Sequence, residues 1–380
     1  MTMVTEERLA ITEAVREFAT AALAPNAADW DARKHFPVDA LALAGEMGLG
    51  GIYVHEDVGG SGLSRSDAVA IFEELAKGDT TIAAYISIHN MVAWMIDTFG
   101  NDEQRHTWVP GMVAMTDLGS YCLTEPGAGS DAAAITTSAR REGDEYVLNG
   151  VKQFISGAGS SAVYVVMART GEPGPKGISA IVVPAGTPGL GFGANEHKMG
   201  WNAQPTRQVF FEDVRVPVAN RLGAEGDGFS IAMKGLNGGR VNMGACSLGG
   251  AQWALDRTVQ YVQEREAFGK PLSANQSVVF SLADMETELQ AARALLYRAA
   301  EKMDTNAPDA APACALAKRF ATDAAFTTAN TALQLHGGYG YLHEYGIERV
   351  VRDLRVHQIL EGTNEIMKLI VGRDLLAGTR

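Results

Sequence analysis

Cysteine is scarce in this chain, and its charge is mainly acidic. The 380 residues include three cysteines, Cys122, Cys246 and Cys314, and no two of them have CxxC spacing. This pattern excludes a disulfide framework and a cysteine-rich zinc site, and it indicates a reducing compartment. The formal net charge is −13, so nucleic acid and anionic membrane surfaces are disfavoured as partners.

Long apolar runs are also missing from the sequence. No segment approaches the roughly 18 consecutive apolar residues of a membrane span. The first residues lack both the apolar core of a secretion signal and the arginine-rich pattern of a transit peptide. We therefore expect a cytoplasmic, bacterial protein without a membrane partner. The hydrophobic content of 46% is enough for a large core divided among two or three domains.

The apolar periodicity divides the chain into three regions. Residues 1–117 and 223–380 have helical spacing, and in 278–303 apolar residues recur every three or four positions, which predicts the seam of a helix bundle. Residues 118–222 carry short β-rich runs separated by glycine, proline and asparagine. We expect an α+β fold with an N-terminal helical domain, a central antiparallel β domain and a C-terminal four-helix bundle.

Several glycine-rich segments are candidates for turns or binding loops. Residues 157–162 (GAGSSA) superficially match a dinucleotide fingerprint, but they lead into the strand-like 163–167, whereas the fingerprint must open a helix. We therefore predict a turn between strands at that point. The dipeptide Asn149-Gly150 predicts a tight hairpin. Residues 125–131 could hold an anion or a polar ring through exposed backbone N–H groups, or could form a plain surface loop.

His336 lies in a glycine-rich segment near the C-terminus. Residues 336–340 could form a loop that another group approaches closely, or could end a helix, since Gly337 has the position expected of a residue that ends a helix. No HExxH motif or paired His/Cys spacing supports a metal site.

Glu361 follows two apolar residues, Ile359 and Leu360, and precedes a helical pattern that Thr363 or Asn364 is placed to cap. Desolvation raises the pKa of such a carboxyl, while a helix N-terminus lowers it. The group could act as a general base. An ordinary surface glutamate beside a helix cap is the alternative that the local pattern alone favours.

Four segments, in this order, resemble signatures of the acyl-CoA dehydrogenase family. They are YCLTEPGAGSD at 121–131, REAFGKPL at 265–272 followed by Gln276, QLHGG at 334–338, and EGT at 361–363. The resemblance extends over nearly the whole chain. It implies an FAD-dependent enzyme that oxidises an acyl-CoA, forms a homotetramer and passes electrons to electron-transferring flavoprotein.

Four further segments resemble the branch of that family that oxidises isobutyryl-CoA to methacrylyl-CoA in valine breakdown. They are AYISIHN at 84–90, GWNAQPTR at 200–207, GLNGGR at 235–240 and HQILEG at 357–362. Leu360 also matches this branch, since an aromatic residue often stands there in other members. A short-chain or 2-methylbutyryl-CoA dehydrogenase is the alternative. A catalytically silent relative that acts in binding or assembly is an alternative of a different class.

The resemblance also implies roles for individual residues. It makes Glu361 the catalytic base, which takes the α-proton of the acyl group. The residues that would meet the acyl-CoA are Ser130, Asn237, Gly238, Gly239, Arg240 and Arg373. The residues that would bind FAD, some of them from a neighbouring subunit, are Cys122, Leu123, Thr124, Glu125, Gly127, Gly129, Ser130, Asp131, Phe154, Ile155, Ser156, Arg265, Phe268, Asn275, Gln276, Gln334, Leu335, His336, Gly337, Gly338, Thr363, Asn364 and Glu365.

The sequence departs from the common family pattern at three positions. Phe154 stands where many members have tryptophan, Asn237 where many have aspartate, and Ala267 where glutamine is usual. None of these changes removes a reacting group. The first could alter packing beside the flavin, and the second could alter the polarity of the substrate pocket.

Overall fold

The computed structural model describes residues 6–378. Helices occupy both ends of the chain and strands its middle, which confirms the predicted α+β architecture. The helices before the sheet are α1 (Glu6–Phe18, extended by a π-helical turn at Ala19–Leu23), α2 (Ala27–Arg33), α3 (Val38–Glu46), α4 (Arg65–Gly78), α5 (Thr80–Phe99) and α6 (Asp102–Val113). The strands of the sheet are β1 (Gly119–Cys122), β2 (Ser138–Glu142), β3 (Glu145–Ser156), β4 (Val163–Arg169), β5 (Ile178–Pro184), β6 (Leu190–Phe192), β7 (Thr206–Pro217) and β8 (Arg221–Leu222). The elements after the sheet are α7 (Gly228–Glu264), a small hairpin of β9 (Glu266–Ala267) and β10 (Lys270–Pro271), α8 (Gln276–Asp304), α9 (Ala310–His336), α10 (Ile347–His357) and α11 (Asn364–Ala377).

The eight strands form one sheet in the order β6-β7-β3-β2-β4-β5-β8, with β1 beside β4. Most pairs are antiparallel, but β1 and β2 each run parallel to β4, so the expectation of an antiparallel domain needs this correction. A parallel pair cannot be closed by a tight hairpin and needs a longer connection. The chain that leaves β1 continues as the glycine-rich loop 123–131 before it returns to the sheet as β2.

The prediction of a hairpin turn at Asn149-Gly150 was wrong. Both residues lie inside β3, and the turn that precedes this strand is at Gly143. Gly150 has φ +148° and lies at a register shift between β3 and β7, which is a β-bulge. A Cβ at Gly150 would lie 2.6 Å from Oγ1 of Thr137. Glycine is therefore required here by its φ angle and by close approach of the chain, not by a chain reversal.

The C-terminal helices pack around a shared core. The long helices α7, α8 and α9 contact one another, and α10 packs against α7 and α9. Met285, Leu289, Ala292 and Leu296 are buried on α8, which confirms the predicted apolar seam. Helix α7 also packs on α4 and α5, so the helices of both ends of the chain join in one cluster. In residues 6–378 no helix is long and apolar enough to cross a membrane.

Candidate active site

Glu361 lies in the short connection between α10 and α11. The N–H of Leu360 donates to the carbonyl of Val356 (3.0 Å), and Thr363 caps α11 by accepting a hydrogen bond from the N–H of Ile366. This cap confirms one of the two predicted alternatives. Glu361 has φ +56° and Gly362 has φ +89°. A left-handed conformation costs a non-glycine residue of the order of 1–3 kcal/mol, and such strain concentrates at functional sites.

The Glu361 carboxyl lies against Gly239 of α7. A Cβ added to Gly239 would lie 2.5 Å from Oε2 and 2.7 Å from Cδ of Glu361, so no larger residue fits there without moving the carboxyl. Although the residue as a whole is partly exposed, Oε2 is buried and has no hydrogen-bond partner within 6–378. Burial raises the pKa of Glu361 to about 7, against the opposing effects of Arg240 and Lys318. Near pH 7 the carboxyl is therefore poised between its two forms, as a general base requires.

Two cations hold the backbone of this connection. Arg240 donates through Nε to the carbonyl of Glu361 (3.1 Å) and through Nη1 to Oδ1 of Asn237 (2.7 Å). The buried Lys318 of α9 donates to the carbonyl of Gly362 (2.9 Å) and also to Asn364. Sequence reasoning missed Lys318, because a lysine in an alanine-rich helical segment gives no sign that it is buried.

The backbone N–H of Glu361 has no hydrogen-bond acceptor in the described part of the chain. An N–H left open beside a buried carboxyl is a preformed donor for an oxygen atom of a ligand. The connection therefore offers a base and a hydrogen-bond donor on the same residue.

Tyr121 is a second residue near Glu361 that sequence reasoning missed as a pocket residue. Its hydroxyl is buried and has no hydrogen-bond partner among the described residues. Burial and then the Glu361 carboxylate raise the pKa of Tyr121. Strand alternation is the signal that could have identified it, because its neighbour Cys122 points into the core of the sheet and Tyr121 must point to the opposite face.

The loop after β1 is fixed by a buried ion pair. Lys152 of β3 donates to Oε1 of Glu125 (2.7 Å) and to the carbonyl of Leu123 (3.0 Å). Glu125 also accepts from the N–H groups of Thr136 and Thr137. Burial alone would raise the pKa of Glu125, but Lys152 and these donors lower it to about 2. Glu125, which the resemblance assigned to the cofactor, therefore holds the loop. The side chains of Leu123 and Cys122, assigned to the cofactor as well, are also buried.

The outer part of the same loop is exposed. Gly127, Gly129, Ser130 and Asp131 all face solvent, and a Cβ at either glycine would meet no atom within 4 Å. Thr124 is tied to β3, since its carbonyl accepts from the N–H of Gln153 (2.8 Å). The loop is therefore an exposed glycine-rich segment next to β3, a geometry that suits either of the two expected alternatives, a binding loop or a plain surface loop.

Phe154 is exposed although it is a large apolar residue inside a strand. It lies at the second register shift of β3, between Lys152 and Ile155, and has φ +60°. Its exposed fraction is 63%, while Ile155 beside it is buried and Ser156 is only partly exposed. The bulge thus turns an aromatic ring outward beside the exposed glycine loop. An apolar platform next to open N–H groups suits an aromatic ring system with polar edges, and these residues fit the isoalloxazine of the implied FAD.

A second group of predicted residues lines a separate cavity of about 500 Å³. Arg265 at the end of α7 meets Gln334, Leu335, His336, Gly337 and Gly338 there. Gly337 ends α9 with φ +60°, which confirms the predicted helix terminus. Tyr261 and His336 stack in this cavity with ring centroids 4.2 Å apart, and sequence reasoning missed Tyr261. A guanidinium, a glycine turn and stacked rings fit the phosphate and adenine portions of FAD.

Other predicted residues lie outside these two groups or face inward. Phe268 is almost fully exposed at the tip of the β9–β10 hairpin, and Gln276 begins α8. Asn275 bonds within its own turn, to the carbonyl of Leu272. Asn364 is buried and bonds to Lys318, Thr322 and Asp323, so its side chain is engaged within the chain. The exposed residues Arg373 and Glu365 lie on α11, and neither forms an ion pair with the Glu361 group in the part of the chain described.

The helical and β-sheet regions match three domains of one family. The N-terminal, middle and C-terminal domains of acyl-CoA dehydrogenases match residues 5–116, 120–214 and 226–376. Mitochondrial isobutyryl-CoA dehydrogenases of Bos taurus and Dictyostelium discoideum are each 53% identical over 98% of this chain and 89% of their own length. The solved structure of butyryl-CoA dehydrogenase from Megasphaera elsdenii has a TM-score of 0.96 and 38% identity, over 99% of this chain and 100% of that one. The chain therefore belongs to the acyl-CoA dehydrogenase family, whose members are FAD-dependent oxidoreductases.

Proposed function

We propose that this enzyme oxidises isobutyryl-CoA to methacrylyl-CoA, with Glu361 as the catalytic base. The observation that carries the proposal is the Glu361 carboxyl, which is buried, has an unpartnered Oε2 and has its pKa raised to about 7. The choice of acyl group is supported by the two isobutyryl-CoA dehydrogenases that are 53% identical over nearly the whole chain. Leu360 supports it as well, since this partly exposed aliphatic side chain precedes the base.

The proposed reaction removes two hydrogens from neighbouring carbons. Glu361 takes the α-hydrogen as a proton, and the electron pair left behind forms the new carbon–carbon double bond. The β-hydrogen would leave as a hydride, for which bound FAD would supply the acceptor. The free N–H of Glu361 would donate to the thioester oxygen as negative charge develops there, because a donor already in place costs no reorganisation. Arg240 keeps that N–H in place by bonding to the carbonyl of the same residue.

The remaining proposed contacts involve two groups of residues, the exposed loop 124–131 with Phe154 and the cavity at Arg265. FAD would be held by the loop 124–131, by Phe154, and by Arg265 with residues 334–338 of a neighbouring subunit in the proposed homotetramer. Asn237, Arg240 and Arg373 would meet the CoA ester, and these arginines supply positive charge on a protein of net charge −13. We propose electron-transferring flavoprotein as the electron acceptor.

The test of the base is Glu361→Gln in the FAD-loaded protein. Glutamine keeps the shape of the side chain but accepts no proton, so flavin bleaching by isobutyryl-CoA under anaerobic conditions should slow on the order of 10²- to 10⁴-fold. FAD and CoA-ester binding should persist. Glu344→Gln, at an exposed glutamate outside the site, is the matched control and should bleach like the wild type. Bleaching at the wild-type rate by Glu361→Gln would place the base elsewhere.

The acyl preference is tested with the wild-type protein. Isobutyryl-, butyryl-, 2-methylbutyryl- and isovaleryl-CoA are compared side by side by their rates of anaerobic flavin bleaching. Isobutyryl-CoA should give the highest kcat/KM, although one methylene changes selectivity by only about 1–3 kcal/mol. A higher value with butyryl- or 2-methylbutyryl-CoA would assign the enzyme to that substrate instead.

A further inference from the structure

Arg65, the first residue of α4, has an unusual environment for a cation in an acidic protein. Its Cζ lies 3.5 Å from the ring centroid of Tyr53 and 5.0 Å from that of Trp94. No carboxylate forms an ion pair with this guanidinium anywhere in residues 6–378. Asp304, the nearby acid, is engaged by the backbone N–H groups of Arg65 and Ser66. The partly buried guanidinium is thus held by aromatic faces and by a hydrogen bond with the Tyr53 side chain, contacts that do not use all of its N–H donors.

Contacts with α7 place this guanidinium beside the Glu361 site. A Cβ added to Gly238 would lie 2.7 Å from Nη1 of Arg65, just as one added to the next residue, Gly239, would meet the Glu361 carboxyl. Burial raises the pKa of Tyr53, Arg65 lowers it and Glu361 raises it, so the Tyr53 hydroxyl is within electrostatic reach of both charges. Arg65 and Glu361 therefore border the same region of the protein, with Tyr53 close to both.

A further polar atom in this region lacks a partner. Asn242, one helical turn after Gly238, donates through Nδ2 to the Tyr53 hydroxyl (3.1 Å). Its Oδ1 is buried and accepts no hydrogen bond from the described residues. A carboxylate cannot satisfy this acceptor, but the bond from Asn242 leaves the Tyr53 hydroxyl proton available, since no described residue accepts it, so Tyr53 adds a donor beside the guanidinium.

The other cations near Glu361 are already engaged. Arg240 bonds to Asn237 and to the carbonyl of Glu361, and Lys318 bonds to the carbonyl of Gly362 and to Asn364. Arg65 differs from them because it makes no hydrogen bond to the Glu361 connection within residues 6–378. A carboxylate on the acyl group would pair with the guanidinium through a charge-assisted hydrogen bond, whereas a methyl group in the same place would not.

We propose that Arg65 and Tyr53, the latter positioned by Asn242, form a subsite for a carboxylate carried by the acyl group of a short branched acyl-CoA. The inference rests on the proposed function in one respect, namely that the acyl group binds beside Glu361. Thioesters of this class, with one branch carbon oxidised to a carboxylate, bind in competition with the substrate. The subsite sets which substituent the branch may carry and adds no step to the reaction.

Methylmalonyl-CoA is the probe, because it equals isobutyryl-CoA with one methyl group replaced by a carboxylate. The dissociation constants of both thioesters are measured by calorimetry on FAD-loaded wild type, Arg65→Met and Arg65→Lys. Arg65→Met should weaken methylmalonyl-CoA at least about tenfold more than it weakens isobutyryl-CoA, as expected for loss of a charged hydrogen bond. Arg65→Lys keeps the charge and should retain part of this selectivity. Arg33→Met, which removes the same charge from an exposed position of α2, should leave the ratio of the two constants unchanged.

Two results would overturn the subsite. One is an equal loss of affinity for both thioesters in Arg65→Met, which would make Arg65 a structural residue. The other is wild-type protein that does not bind methylmalonyl-CoA. Failure of the proposed function is recognised separately, because it is read from flavin bleaching. If isobutyryl-CoA does not bleach the flavin but Arg65 still governs methylmalonyl-CoA binding, the assigned substrate is wrong and the subsite stands.

Discussion

Gly239 determines where the Glu361 carboxyl can lie. A methyl group at this position would be 2.5 Å from Oε2, well inside van der Waals contact. Gly239→Ala should therefore push the carboxyl away from its place, and a displacement of about 1 Å is enough to lower kcat by on the order of 10²-fold. The measurement is the rate of anaerobic flavin bleaching by acyl-CoA. FAD content should not change, because Gly239 contacts neither of the two groups of residues assigned to the flavin.

The matched control for this change is Gly372→Ala on α11. A Cβ there would meet no atom within 4 Å, and the residue is already helical. Replacement of a helical glycine by alanine is favourable by up to about 1 kcal/mol, so this variant should fold and bleach normally. Full activity of Gly239→Ala would show that the carboxyl adjusts freely and that its contact with α7 has no role in catalysis.

Some residues of the site could be predicted from the sequence, and others could not. Glu361 could be named because the motif around it is local in the chain. The contacts that make its carboxyl a base could not be predicted, since Gly239 and Lys318 meet this segment across more than 40 positions of sequence. Tyr121 was assigned to a signature segment, but the direction of its side chain depends on the register of β1 beside β4. Nothing local in the sequence sets that register.

At the level of elements, the Lys152–Glu125 pair joins β3 to the loop that follows β1. Both side chains are nearly inaccessible to solvent, at 0% and 4% exposure. Lys152→Met should leave a buried carboxylate without its cation and destabilise the protein by about 3–5 kcal/mol. Urea unfolding of the wild type and the variant measures the difference in free energy of unfolding. FAD affinity should also fall, because the loop after β1 loses the ion pair that orders it.

A second variant separates the charge effect from loss of packing. Lys152→Met combined with Glu125→Leu removes both partners, and exchange of a buried pair for apolar groups is often neutral. The double variant should therefore recover a large part of the lost stability but not the FAD affinity, because Thr136 and Thr137 lose their acceptor. A double variant that is less stable than Lys152→Met would contradict this account.

The elements themselves were predicted where their pattern repeats. The apolar seam of α8 extends over several turns, and the structure buries it as expected. The hairpin prediction at Asn149-Gly150 was wrong because a dipeptide that favours a hairpin also suits a bulge. In this bulge Asn149 bonds across the sheet to Asp213. The exposure of Phe154 could not be predicted from the sequence, because the hydrophobic pattern does not show where a bulge interrupts strand alternation.

At the scale of the whole molecule, a buried charge network joins all three parts of the chain. Asp79 caps α5, and Arg349 of α10 bonds to it at 3.3 Å. Asp353 of the same helix accepts from the N–H of Trp201 (2.6 Å), in the connection between β6 and β7. Trp201 in turn donates to His357, the last residue of α10 before the Glu361 connection. The order of domains was predictable from periodicity, but this junction was not, because Asp79 and Trp201 each lie more than 100 positions from the α10 residues that they contact.

The junction should make stability depend on pH. Burial raises the pKa of Asp353 from its ordinary 3.8 to about 7, with Arg349 opposing and Asp79 adding to the effect. A carboxyl whose pKa is raised by folding favours the folded state fully below about pH 3.8, and this contribution is lost as pH rises through about 7. Asp353→Asn does not titrate, so the melting temperature of the variant minus that of the wild type should increase between about pH 5 and about pH 8. Asp144→Asn, at an exposed turn position, is the matched control for replacement of an aspartate by asparagine. If Asp353→Asn gives a difference that stays constant with pH, the carboxyl is ionised throughout and the two buried acids share the positive charge of Arg349 instead.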